Sequence, residues 1–203
     1  DPGKTAMECA ENYFKRYDKL KRTKEAVTVQ IEETKKNIEQ LDSILTSLDM
    51  AEDEGDLSDI RKELTEAGFI HKNAHGRKEK ALKAKPLHFV TDDGFDIFVG
   101  KNNYQNEYVT FRVADSDDWW FHAKKIPGSH VVVKTNGKEL PDKDFEIAAQ
   151  IAAYYSRGRD NDKTDVDYVK KKELRKVTGG APGFVIYHTN YSMTVHPKIT
   201  GVR

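Results

Sequence analysis

Cysteine is nearly absent: Cys9 is the only one in 203 residues. That excludes an internal disulfide and fits a reducing compartment. Long apolar runs are missing too. None approaches the ~18 residues a membrane helix needs, so no membrane segment is expected. No signal peptide is visible, and a cytoplasmic location is the expectation. The chain opens "DPGKTAM" with no initiator methionine. A fragment is therefore expected, and a missing upstream part could carry targeting signals. Net charge is also lacking, since 34 Lys and Arg balance 34 Asp and Glu. Any nucleic-acid contact must come from local patches.

What is present divides into unlike halves. Tyr13, Tyr17, Leu20, Lys24, Val27, Ile31, Thr34, Ile38, Leu41, Leu45 and Leu48 follow one another in alternating steps of four and three. That spacing keeps one narrow stripe on one side of a helix, the signal of a coiled coil. Lys24 and Thr34 weaken the seam locally. Gly55 interrupts the pattern, and Ile60, Leu64 and Ala67 begin a shorter amphipathic run that Gly68 closes. An antiparallel helical hairpin over residues 1–70 is expected, with its tip near 49–58. The tip is acidic, with Glu52, Asp53, Glu54 and Asp56 at its centre. Phosphate backbones would be repelled there, so a basic protein surface is the expected partner if the tip binds anything. A solvated loop is the simpler reading.

Residues 71–85, "HKNAHGRKEKALKAK", set six Lys or Arg against one Glu and read as a basic linker. From residue 86 to 203 the pattern becomes short β-branched and aromatic runs separated by turn residues. They are "LHFVT", "FDIFVG", "YVTFRVA", "WWFHA", "HVVVK", "VDYVK", "FVIYH" and "MTVHP". One helix interrupts, near 142–157, with Phe145, Ala148, Ile151, Ala152 and Tyr155 on its apolar face. The fold class is α+β: a helical hairpin, then a mostly antiparallel sheet domain with one main helix.

Chemistry-bearing residues concentrate in "DDWWFHAKKIPGSH", residues 117–130. As a strand, 118–123 puts Asp118, Trp120 and His122 on one face and Trp119, Phe121 and Ala123 on the other. "IPGS" suits a type II turn with Pro127 second and Gly128 third. His122 and His130 then approach across a hairpin, with Lys124 and Lys125 near its tip. Four readings compete. A metal site lacks a close-spaced ligand pair. A nucleophile site around Ser129, His122 and Asp118 lacks a strand-to-helix elbow. A satisfied polar hairpin needs no function. An RNA surface would use Trp120 for stacking and His122, His130, Lys124 and Lys125 for phosphate or base contacts. "GKNNYQNE", residues 100–107, reads as a loop between strands. Lys101, Asn102, Asn103, Gln105 and Asn106 offer charge and amides for RNA, although Asn-rich turns also form for backbone reasons. "KKKELRK", residues 170–176, adds basic material.

The stretches "DIFVGKNNYQNE", "DWWFHAKKIPGSHVVV" and "GGAPGFVIY" resemble the NFACT-R domain of the NFACT family. "AENYFKRYDKLK" with the heptads that follow it resembles the family's coiled-coil middle. Asp118, Trp120, His122, Pro127, Gly128, Ser129 and His130 match its D-x-W-x-H…P-G-S-H pattern. Gly100, Lys101, Asn102, Asn103, Gln105 and Asn106 match its G-K-N-N-x-Q-N pattern. The resemblance implies a ribosome-associated quality-control factor. Such proteins bind a large ribosomal subunit obstructed by peptidyl-tRNA, recruit tRNA and promote untemplated C-terminal tailing, with alanine in bacteria. It also implies that the family's N-terminal NFACT-N domain is missing here. A binding role without catalysis or cofactor is expected, with rRNA, tRNA and a stalk-base protein as partners. The alternative, from an older family name, is a fibronectin-binding surface adhesin, with surface display as its location.

Overall fold

The computed structural model describes residues 3, 5–71 and 85–203. Most of the basic linker expected at 71–85 lies outside the described residues. The chain forms two compact units, Asp1–Leu41 and Asp42–Arg203. By compactness, residues 42–70 of the expected hairpin group with the sheet domain, through contacts described below.

Helix α1 runs over Ala6–Asp49, 44 residues. A capping box starts it. Thr5 Oγ1 accepts the Glu8 N–H at 3.3 Å, and the Glu8 carboxylate accepts the Thr5 N–H at 2.7 Å. In the first unit the heptad stripe is solvent-exposed, from Tyr13 at 73% to Ile38 at 55%. Leu45 and Leu48, at the stripe's C-terminal end, are exposed as well. The side chains that α1 buries there are Ile44, Thr46 and Ser47, off the heptad seam.

In the second unit, α2 spans Glu54–Glu66 and begins at Asp53, whose side chain accepts the Asp56 N–H. Six strands form one antiparallel sheet. They are β1 (Leu87–Val90), β2 (Asp96–Val99), β3 (Trp119–Ala123), β4 (Val131–Lys134), β5 (Thr164–Lys170) and β8 (Tyr191–Val195). Their spatial order is β1-β2-β4-β3-β5-β8. Short strands β6 (Arg175–Lys176) and β7 (Val185–Ile186) pair separately.

Both sheet faces carry apolar rows, as period-2 alternation requires. Ile97, Val99, Phe121, Val131 and Val133 pack under helix α4 (Asp142–Tyr154). Its Ala148, Ala149, Ala152 and Ala153 are fully buried, and their small side chains let the helix lie close on the strands. Trp120, Val132 and Val169 point to the other face and join Val109 and Leu174.

Two local expectations fail. "GKNNYQNE" is not a loop, and "YVTFRVA" is not a strand. Helix α3 covers Asn103–Tyr108 and continues as a π-helical turn over Val109–Val113. Asn102 starts it by accepting the Gln105 N–H at 2.9 Å. Gln105 reaches back, its Oε1 accepting the Lys101 N–H at 3.1 Å. This is the logic of a capping box, and it overrides the β-branched run that follows. The "IPGS" turn also differs. Positive φ falls on Lys125, at 58°, and not on Gly128 as a type II turn would need. Gly128 answers a different demand: a Cβ there would lie 2.7 Å from Ser156 Cβ.

Gly100 is the tightest glycine, since an added Cβ would meet Asn106 Oδ1 at 2.3 Å and Asn106 N at 2.6 Å. Gly100→Ala should therefore destabilise by about 1–3 kcal/mol, the usual cost of overpacking. Urea unfolding of the two proteins reads it out, and an unchanged midpoint would contradict this close approach.

Candidate functional site

The first motif block is an internal clamp. Lys101 is 4% exposed, and its Nζ lies 2.6 Å from Asp56 Oδ2, a carboxylate that is 1% exposed. Glu52 and Asp53 stand farther off, at 3.7 and 4.0 Å. Asp56 also accepts from Gln105 Nε2 at 3.0 Å and from the Glu52 N–H at 3.1 Å. Asn103 Nδ2 donates to Glu63 at 2.8 Å, and Asn103 Oδ1 accepts from Ser43 Oγ at 2.9 Å. Asn102 Nδ2 reaches Asp59 at 3.4 Å. The Tyr104 hydroxyl bonds Glu66, and Lys62 Nζ sits 4.6 Å from the Tyr104 ring centroid. The amides expected to face RNA thus hold the end of α1 and one side of α2.

The acidic loop is corrected by the same contacts. Its central carboxylate, Asp56, is buried against Lys101 and is not presented to a partner. Glu52, Asp53 and Glu54 remain exposed. The physical reason is charge balance, because a buried ammonium requires a buried counter-charge.

The second block lies on the sheet face opposite α4. Trp120 is 1% exposed, so the stacking role expected for it is excluded. Its ring stacks on His122 at 5.6 Å, meets His130 edge-on at 4.9 Å and lies 5.5 Å from Tyr187. Its Nε1 is buried with no acceptor among the described residues. His122 and His130 do approach, ring centroids 5.3 Å apart. His130 is 4% exposed; its Nδ1 bonds Thr110 Oγ1 at 2.8 Å, and its N–H donates to Asn106 Oδ1 at 2.9 Å. Phosphate or base contact by His130 is excluded by that burial. Burial pushes the His122 imidazole down to about 4, against the pull of the Gly128 backbone, the Asp167 charge and the Ala123 backbone. Burial, then the neighbouring His122, holds His130 well below the usual histidine value.

Asp118 does not join the histidines. Its carboxylate accepts from Thr135 N–H and Asp115 N–H, both at 2.8 Å, and pairs with Lys134 at 2.7 Å. Burial alone would raise this carboxyl, but those partners outweigh it and hold it below the ordinary value. Ser129 is fully buried, with its Oγ on Met50 Sδ at 3.5 Å, and so is unavailable as a contact to RNA or as a nucleophile. Lys124 is partly exposed and engages Ser192 Oγ at 2.9 Å and Asp167 at 3.5 Å. Lys125 is exposed. Among the described residues no group of three or more His, Cys, Asp or Glu could hold a metal. None of their helices is long and apolar enough to cross a membrane.

Tyr187 and Asp167 were not singled out by the sequence. Tyr187 donates to Asp167 Oδ2 at 3.0 Å, and Ser192 donates to Oδ1 at 2.5 Å. Burial and the nearby Asp167 push the Tyr187 phenol above its ordinary value. The inward register of Asp167, between Val166 and Tyr168 in a strand, was the only available signal.

Fold and site define an α+β sheet domain with a helical segment locked onto it by a buried ion pair and a set of amides. Residues 85–188 match the family described as "NFACT protein RNA binding domain", and residues 1–83 match "NFACT N-terminal and middle domains". The chain belongs to the NFACT family. It is 43% identical over 97% of its length to "Rqc2 homolog RqcH" of Streptococcus pneumoniae, covering 35% of that protein. For RqcH of Bacillus subtilis the identity is 38%, again over 97% of this chain and 34% of the relative. The chain thus spans about a third of these relatives. It is also similar to the C-terminal part of the fibronectin/fibrinogen-binding protein from Streptococcus suis. There the TM-score is 0.83 and the identity 40%, over 97% of this chain and 78% of that one.

Two outcomes test the geometry. Lys101→Met should cost about 3–5 kcal/mol, because it strands Asp56 without its counter-charge. The double variant with Asp56→Leu should recover part of that loss in urea unfolding. The histidines predict a pH dependence. The unfolded chain binds protons near 6.5, while folded His122 binds them only near 4. Stability present above about 6.5 is therefore lost as pH falls through that window. His122→Gln should flatten this part of the curve, and an identical curve would refute the neutral, packed imidazole.

Proposed function

We propose that this chain is the helical and RNA-binding part of a ribosome-associated quality-control factor. In this reading it contacts rRNA of an obstructed large ribosomal subunit and tRNA, and it supports untemplated alanine tailing carried out with the rest of a longer protein. The observation that carries the reading is the match to the family's RNA binding domain in a chain similar to RqcH along nearly its whole length. The clamp supports it mechanically: α2 and the end of α1 are held on the sheet domain by charge and amides. Exposed Glu52, Asp53 and Glu54 are the carboxylates left for a basic ribosomal protein at the stalk base. RNA contact falls to basic residues that keep solvent access, such as exposed Lys125 and Lys172 and half-buried Lys171, since Lys101 is consumed inside the fold.

The second reading, fibronectin binding, rests on the name of the solved S. suis relative. The test is sedimentation of the chain with purified large ribosomal subunits across a salt series, beside a fibronectin pull-down. Under the ribosomal reading, binding weakens steeply with salt, and Lys125→Ala/Lys171→Ala/Lys172→Ala lowers both affinity and slope. Salt-insensitive capture by fibronectin, with no subunit binding at low salt, would favour the adhesin.

A further inference from the structure

The sheet carries a row of aromatic rings of which only the innermost, Phe121, lies in a motif block. Phe121, Tyr168 and Tyr191 are direct cross-strand partners on β3, β5 and β8. Their rings are near-parallel. Phe121 and Tyr168 are 5.7 Å apart at 21°, and Tyr168 and Tyr191 are 5.5 Å apart at 26°. The row runs from the core to the surface: Phe121 is fully buried, Tyr168 is partly buried and Tyr191 is 64% exposed. β8 is the last strand of the sheet, so no further rung covers Tyr191. The exposed ring at the end of an offset stack presents a face on which another planar ring can stack.

The charge beside Tyr191 says which ring. A concavity of about 370 Å³ is lined by Tyr191, Asn190, Thr189, Lys170 and Trp119, among others. Lys170 is the cross-strand partner of Trp119, and its Nζ lies 4.1 Å from the Trp119 ring centroid. The run "KKKELRK" begins at this lysine, so Lys171, Lys172, Arg175 and Lys176 follow within six residues. Glu173 and Asp117 are the acids on this side; Lys172 already pairs with Asp117 at 3.0 Å. The hollow on the other side of Tyr168 is lined by Asp142 and Glu146 with Met193, which disfavours a polyanion there. An aromatic terminus flanked by lysines on one side and carboxylates on the other suits a planar base whose phosphates run over the lysine side.

We propose that Tyr191 is the stacking platform for one unpaired base of an RNA strand, with Lys170 and Lys172 holding its flanking phosphates. This deepens the RNA-binding reading above and rests on it. Tyr168 is a positioning residue, which fixes the plane of Tyr191 without touching the base. Asn190 and Thr189 line the same hollow and can bond the base edge.

The test is fluorescence anisotropy of the chain with a labelled single-stranded RNA of about ten nucleotides, and with an abasic strand of the same length. Tyr191→Ala should weaken RNA binding at least about tenfold and leave the abasic strand unchanged, while Tyr191→Phe keeps near wild-type affinity. Lys170→Ala and Lys172→Ala should weaken both strands and lower the salt slope by ~0.7 for each phosphate no longer neutralised. Wild-type RNA binding that Tyr191→Ala leaves intact would overturn the site and leave the RNA-binding reading standing. An equal loss on the abasic strand would overturn stacking. No RNA binding by the wild type at low salt would remove the RNA-binding reading and this site together. Thermal unfolding of each variant separates impaired binding from impaired folding.

Discussion

A lysine ammonium buried against an aspartate ties α2 to the sheet domain. Lys101 stands at the entrance of α3 and Asp56 in the first turn of α2, and neither has water to fall back on. A lone buried charge is far more costly than a paired one, so each residue makes the other obligatory. The amides around them complete the constraint. Gln105 serves both the α3 start and Asp56; Asn106 ties the same short helix to Gly128 and His130. One six-residue helix therefore couples the two motif blocks, and either block would lose its geometry if the other were changed.

That coupling changes what the motif residues are for. Polar side chains packed into a short sequence invite a ligand-binding interpretation, because polar groups at a surface commonly face one. Here most of them face each other. Trp120, His122, His130 and Tyr187 form an uncharged aromatic cluster, with the imidazoles kept neutral by their own packing. What stays accessible among the described residues is less conspicuous, such as Tyr191 at a sheet edge and the basic residues at and after the end of β5.

Much of the fold was legible because it obeys simple periods. The runs LHFVT, FDIFVG, WWFHA, HVVVK, VDYVK and MTVHP alternate or are β-branched, and each contains, lies within or overlaps a strand. The alanine-rich face of 142–157 announced α4. Residues 102–113 were misread because β-branched Val109, Thr110 and Val113 suggest a strand, while the Asn102-x-x-Gln105 start signal is only four residues long. The site was less legible, since burial is a tertiary property. The alternation that put Trp120 and His122 on one face was right, but period alone does not say whether a face meets solvent or a second layer. Nor could spacing show that Asp56 and Lys101, 45 positions apart in the chain, would meet.

Val202 and Arg203 cover part of one side of the sheet. Val90 and Arg203 exchange backbone hydrogen bonds at 3.0 and 3.1 Å, and Thr91 bridges Val202, so β1 is partly covered by its own chain. Among the described residues β8 is the edge with no such cover. Growth by strand addition then has its longest free side at β8. Two copies meeting through β8 would consume that side of both and form a twofold pair with a continuous twelve-stranded sheet, 6 strands from each. An indefinite fibre needs two fully open sides per molecule, and among the described residues the cover over the end of β1 shortens one of them.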